Sequence, residues 1–230
     1  MNREIVLLQK SVCEANKMLY EKGLVDFTEG NVSERRGNLV AIKPTGVPYE
    51  KLMAKRIPIV SLQTGERLFG NLKPSVDLAI HLEIYRGHKE IGGIAHTHSL
   101  YATAFAQAGK TIPCFGTTHA DAFFGTIPIV DFLSENQIKS GFEVESGRAI
   151  AVLLLPPHIS AVLLRGHGPF VVGSNAEEAV CKAAILEKVA RLAYMTLSIK
   201  DDIAPLPPML ASYHFERKYG GIYGQKYGQK

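Results

Sequence analysis

The sequence predicts one α/β domain with helix, sheet and helix in layers and a mostly antiparallel central sheet. Short apolar runs come in close pairs joined at glycine turns, which makes neighbouring strands antiparallel. Longer segments with apolar residues at three- and four-residue steps lie between them, and helices of that kind cover the faces of a sheet. Residues 1–230 show no internal repeat and no low-complexity linker, and 46% hydrophobic with 21% charged residues suits one substantial core.

Each element follows from local chemistry. Ile5, Leu8, Val12, Ala15 and Leu19 share one face of a helix over 3–22 that stops before Gly23. "NVSERRGNLVAIKPTG" reads as two strands joined around Arg36-Gly37-Asn38, and "RIPIVSLQTGERL" as two more turning at Thr64-Gly65. "KPSVDLAIHLEIYRGH" is a helix with Ser75 as its N-cap, "IGGIAHTH" a strand, and "SLYATAFAQAG" a helix capped by Ser99. "TIPIV" is a short strand, "SENQIKSGFEVESGRAIAVLLL" one or two helices, and "SAVLLRGHG" a strand. The longest helix starts at Ser174, whose spacing to Glu177 is that of a capping box, with Ala179, Ala183, Leu186, Ala190 and Ala193 on its apolar face. A last short helix follows "PLPPM" and runs to about Lys218. The ending "YGGIYGQKYGQK", rich in glycine and tyrosine, fits none of these patterns.

Composition narrows the function classes. No apolar run approaches the ~18–20 residues of a membrane span. "MNREIVLLQKSVCEANKML" lacks the apolar core and cleavage site of a signal peptide. Cys13, Cys114 and Cys181 form no ligand pair or disulfide framework, which points to a reducing cytoplasm, and they are expected to be small buried hydrophobes. The net charge of +4 comes from scattered residues without a basic arm or an RNA-binding aromatic signature, so no nucleic-acid partner is expected.

The histidines carry the chemistry. Alternate residues of a strand share a face, so His96 and His98 present their imidazoles side by side. Taken alone, the pair suits either two metal ligands or two polar residues on a solvent face. "LLRGHGPFVVG" adds His167, flanked by glycines at the end of another apolar strand. Three histidines at strand ends would form an open centre that leaves room for water or substrate. Such a centre suits Zn²⁺ best and also admits Mn²⁺ or Co²⁺. His81 shares a helix face with Asp77, and His119 stands just before Asp121. His88 and His158 read as surface residues, and His214 matters only if the C-terminal segment folds over a site.

Three segments could contact an anion. "EGNVS" offers Asn31, and "KPTG" offers Lys43, the Thr45 hydroxyl and the Gly46 N–H. "KPSVD" places Lys73 and Ser75 at a helix N-terminus, where free N–H groups favour negative charge.

In order, "GNVS", "IKPTGV", "KPSVD", "GGIAHTHS", "GTTHAD", "GTIP" and "GHGPF" form a set that resembles the L-ribulose-5-phosphate 4-epimerases of the class II aldolase/epimerase superfamily. The likeness runs over nearly the whole chain. It implies a zinc site of His96, His98 and His167, with Asp77 as the carboxylate near the metal, where the related fuculose-phosphate aldolases have a glutamate. It implies Asp121 as one catalytic acid/base and a tyrosine of the tail, Tyr223 or Tyr227, as the second, given by a neighbouring subunit of a homotetramer. The tail from about residue 219 would then complete a neighbour's site. Asn31, Lys43, Thr45, Gly46 and Ser75 match the region that binds a small phosphorylated ketose. Val76 stands where the family has a second serine, which removes a hydroxyl from the phosphate pocket.

The implied reaction has a chemical logic. The C4 hydrogen of a 2-ketose lies two carbons from the carbonyl and is not acidic, so direct proton abstraction fails. A retro-aldol route removes the C4 hydroxyl proton and cleaves C3–C4, and the cation stabilises charge at the C2 and C3 oxygens. The aldehyde then turns over and the bond re-forms with C4 inverted. Inversion needs one acid/base on each face. Asp77 and Asp121 argue for epimerisation over an aldolase that releases both fragments, and Val76 leaves another ketose or ketose phosphate open.

Overall fold

The computed structural model describes residues 3–220. Helix α1 (Arg3–Glu21) precedes strands β1 (Asn31–Arg36), β2 (Leu39–Ile42), β3 (Ile59–Ser61) and β4 (Arg67–Phe69). Then come α2 (Leu78–Gly87), β5 (Gly93–His96), α3 (Leu100–Gln107), α4 (Thr117–Ala122) and β6 (Ile129–Val130). The chain continues through α5 (Glu135–Leu153), β7 (Ala161–Leu164), β8 (Gly168–Gly173), α6 (Ala176–Ile199) and α7 (Pro208–Tyr219). The strands form one eight-stranded sheet in the order β4-β3-β2-β1-β5-β8-β7-β6. Six of its seven pairings are antiparallel, and only β6 and β7 run parallel.

Alternation along the strands explains the layers. On β8, Val171 enters the core shared with α1, α3 and α6, while Phe170 and Val172 enter a second core with α2 and α5. A strand that is apolar on both faces must be covered twice, and the three-layer arrangement expected from the sequence results. His96 lies two residues after Ile94 and so projects to the α2/α5 side.

Several local expectations shift. The N-cap of α2 is Asp77 rather than Ser75, and its side chain makes no capping bond. Ser99 does precede α3, but its hydroxyl does not cap. Glu187 of α6 instead accepts from the Tyr101 and Ala102 N–H groups at 2.8 and 3.0 Å. At α6 the cap is Asn175, which accepts from Glu178 N, and Glu178 accepts in turn from Ser174 N. The sequence pattern placed this box one residue early, at Ser174 and Glu177. Helix α5 does have two parts, because Gly141 breaks it with a φ of 141°. Cys13 and Cys114 are buried as expected, whereas Cys181 is exposed. No helix among the described residues is long and apolar enough to cross a membrane.

Candidate metal centre

Three backbone segments meet at one end of the sheet. His96 closes β5, His98 stands two residues beyond it, and His167 occupies the turn between β7 and β8. A Cβ added to Gly168 would stand 2.5 Å from the Thr97 carbonyl oxygen, so only glycine lets the two histidine-bearing segments approach this closely. The three rings lie edge to face, with centroids 4.7 to 5.1 Å apart. Their candidate ligand atoms all fall within 4.8 Å of one another. The pairing of His98 with His96 therefore does not rest on strand alternation, since the strand has already ended.

Neighbouring groups fix which ring nitrogens face inward. A carbonyl can only accept, so His96 Nδ1, 3.0 Å from the Pro169 oxygen, carries the proton and leaves an Nε2 lone pair. His98 Nδ1 lies 3.5 Å from a Glu29 carboxylate oxygen, and its Nε2 lies 3.1 Å from that of His96. Burial pushes the His96 imidazole down to about 3 against the opposing Asp77 charge, and burial also lowers His167. Neutral imidazoles of this kind are the form that binds a metal. Tetrahedral ligation at Zn–N distances of about 2.0–2.1 Å places donor nitrogens roughly 3.3–3.4 Å apart, and the donor set here suits a divalent cation.

Asp77 stands outside that set of ligand atoms. It turns from the α2 N-terminus toward Asn31, whose Nδ2 donates to it at 2.7 Å. Burial opposes its ionisation, but His96, His81 and His167 together with the Asn31 bond hold the carboxyl below its usual range. The carboxylate that the resemblance implies near the metal thus lies close enough to His96 and His167 to interact with them electrostatically.

The anion-binding candidates also converge. Asn31 lies opposite His96 in the β1/β5 register, and its Nδ2 donates to Ser75 Oγ at 3.1 Å. Its Oδ1 is buried and has no partner among the described residues. "KPTG" and "KPSV" are joined by a bridge at Pro44 and Pro74, with Thr45 N donating to Lys73 O and Ser75 N to Lys43 O. Thr45 and Gly46 are exposed beside it. Lys43 is buried, donates to Thr28 O at 2.9 Å and lies over the Tyr49 ring. Its burial pushes the ammonium down to about 8, against the pull of Asp77.

Asp121 is placed differently. On α4, its carboxylate accepts from Arg217 at 2.9 and 3.1 Å and contacts His214 at 3.1 Å, both on α7. The open cavity beside the histidines, of about 350 Å³, is lined by His98, Leu100, Thr103, Ala104, Gln107, Gly166 and His167, without Asp121. Tyr223 and Tyr227 lie outside the described residues. Sequence reasoning missed Glu29. It also left His81 unassigned; this histidine is buried against Ser33 Oγ at 2.7 Å and lowered by burial to about 4.

A layered α/β domain with an open three-histidine centre at its strand ends defines a class of metal-site proteins. The family model for the class II aldolase and adducin N-terminal domain matches residues 10–194, and the chain belongs to that family. Class II aldolases typically depend on a divalent metal, in keeping with the three histidines. A putative aldolase/epimerase/decarboxylase from Klebsiella pneumoniae, YgbL, superposes with a TM-score of 0.74 at 28% identity, covering 90% of this chain and 96% of that one. An L-fuculose 1-phosphate aldolase gives 0.78 at 22% identity, over 91% and 95%. A second, from Glaciozyma antarctica, gives 0.75 at 21%, over 98% and 88%. The two aldolases, at that identity, speak to the fold alone.

Proposed function

We propose that the protein epimerises L-ribulose 5-phosphate to D-xylulose 5-phosphate at C4. The observation that carries this reading is the convergence of His96, His98 and His167 beside an ionised Asp77, next to the paired "KPTG" and "KPSV" segments. His96, His98 and His167 would hold a divalent cation, which when bound would supply Lewis-acid stabilisation of charge developing on the C2 and C3 oxygens.

The chain's own groups do the rest. Thr45, Gly46 and Ser75 hold the phosphate, and Lys43 supplies positive charge behind them. Asn31 orients the ketose end through its unpartnered oxygen. One acid/base takes the proton of the C4 hydroxyl as C3–C4 cleaves, giving the three-carbon enediolate and glycolaldehyde phosphate. The aldehyde turns about its phosphate anchor, C3–C4 re-forms on the other face, and the second acid/base returns a proton to the new alkoxide. We assign these roles to Asp121 and a tail tyrosine, Tyr223 or Tyr227. Because Asp121 does not line the cavity beside the histidines of its own chain, we assign both groups to a neighbouring subunit's site in a homotetramer.

A second reading has one observation in its favour. If the Arg217 and His214 contacts make Asp121 purely structural, one face of the aldehyde has no proton donor and the enzyme releases both fragments as an aldolase. Carbon NMR of the zinc-loaded protein with L-ribulose 5-phosphate separates the two. D-Xylulose 5-phosphate without free fragments is the expected product. Bulk dihydroxyacetone and glycolaldehyde phosphate would make it an aldolase. Turnover of unphosphorylated ketoses alone would point to the exposed Val76 and a different substrate.

A further inference from the structure

The ring orientation of His96 is set by a backbone carbonyl, but among the described residues no carbonyl serves His98. Its Nδ1 instead faces the Glu29 carboxylate at 3.5 Å. Glu29 lies on the loop between α1 and β1, and that loop is held firmly. Tyr49 donates from its hydroxyl to the Glu29 and Gly30 carbonyls at 2.6 and 3.0 Å. A Cβ on Gly30 would come within 2.9 Å of the His96 carbonyl oxygen, so the Glu29–Gly30 backbone packs directly on the segment that carries the histidines. One carboxylate oxygen of Glu29 accepts the Asp26 N–H at 3.2 Å, and the other faces His98.

A histidine that ligates through Nε2 must carry its proton on Nδ1. A carboxylate beside Nδ1 selects that tautomer, aims the ring and raises the basicity of the free nitrogen. We propose that Glu29 is the positioning residue for His98, holding its Nε2 toward His96 Nε2 and the ligand nitrogen of His167. The assignment rests on the metal-centre reading above and adds to it a residue that lies outside the ligand set. Glu29 thereby links the loop that leads into Asn31 to the geometry of the cation site.

The test uses the full-length protein stripped of metal and titrated with Zn²⁺ against a chromophoric chelator. Glu29→Gln keeps an acceptor for the Asp26 N–H but loses the charge facing His98. It is expected to bind Zn²⁺ about 10–100-fold more weakly than wild type while the metal-free proteins melt at the same temperature. The Co²⁺-loaded variant is expected to show an altered visible absorption spectrum, which a loop-stabilising role alone would not change. Wild-type affinity and spectrum in Glu29→Gln would overturn the assignment while leaving the metal centre intact. Absence of stoichiometric Zn²⁺ in the wild type, with the same result in His98→Ala, would overturn the metal-centre reading and this assignment with it.

Discussion

The Nε2 atoms of His96 and His98 face each other at 3.1 Å, although His98 stands beyond the strand that His96 closes. With Nδ1 of His96 committed to Pro169, its inward Nε2 presents a lone pair, and the Glu29 assignment for His98 gives a second. Two lone pairs at that distance repel unless a proton or a cation lies between them. His167 offers a third donor, and a cation would satisfy all three at once.

The close approach that makes this possible depends on Gly168. An added Cβ would meet the Thr97 carbonyl at 2.5 Å and the His98 ring at 3.4 Å. Gly168→Ala is expected to push the β7–β8 turn away from the loop carrying His98, at a cost of about 1–3 kcal/mol. For a chain of this size each kcal/mol is about 2–4 °C in Tm. Calorimetry with a parallel Zn²⁺ titration should show both a lower Tm and weaker metal binding. Unchanged values for both would mean the backbone relaxes without disturbing the site.

Lys43 gives a pH signature. Its ammonium is lowered to about 8 by burial, against 10.5 in an unperturbed lysine. Below about pH 8 both folded and unfolded chains hold the proton, and the buried charge costs stability in full. From about 8 to 10.5 the unfolded chain binds more protons, so the contribution of Lys43 to stability rises with pH, by at most on the order of 3 kcal/mol. Lys43→Met is expected to remove that rise. Urea unfolding at pH 7 and pH 10 checks it, and parallel changes in wild type and variant would exclude it.

Asp121 is tested by subunit mixing. Asp121→Asn is expected to lower turnover by about 10²–10⁴-fold, the usual worth of a general acid/base. Stability should change little, because a partly exposed ion pair contributes at most about 1 kcal/mol. If Asp121 serves a neighbour's histidines, oligomers assembled from co-expressed His98→Ala and Asp121→Asn chains regain activity that neither parent has. Mixed oligomers as inactive as their parents would place Asp121 outside any shared site.

Much of this was legible before the fold was known, for identifiable reasons. Hairpin glycines and helical apolar periodicity give the layers, and the histidines stand out because His96 and His98 alternate at one strand end while His167, flanked by glycines, ends another. What failed was local. The Asp77 carboxylate is drawn from capping duty by Asn31, 46 positions away in sequence, and no reading of "KPSVD" alone reveals that bond. Glu187 caps α3 from a helix 85 residues on, and the Ser99 hydroxyl accepts from Thr97 Oγ1 instead. Glu29 was missed because its partner is set by the packing of Gly30 on the His96 carbonyl, a contact between the α1–β1 loop and the end of β5. In each case a distant partner outcompeted the local one.

In the proposed reaction the three histidines hold the cation on which C3–C4 cleavage depends. The most direct test is to strip the protein of metal, add Zn²⁺ in steps, and follow turnover of L-ribulose 5-phosphate and the far-ultraviolet circular dichroism at each step. The metal-free protein is expected to be folded but inactive, activity to rise to a plateau at one equivalent per chain, and His167→Ala to give a flat line. Full activity in the metal-free protein, or an undiminished response in His167→Ala, would contradict that dependence.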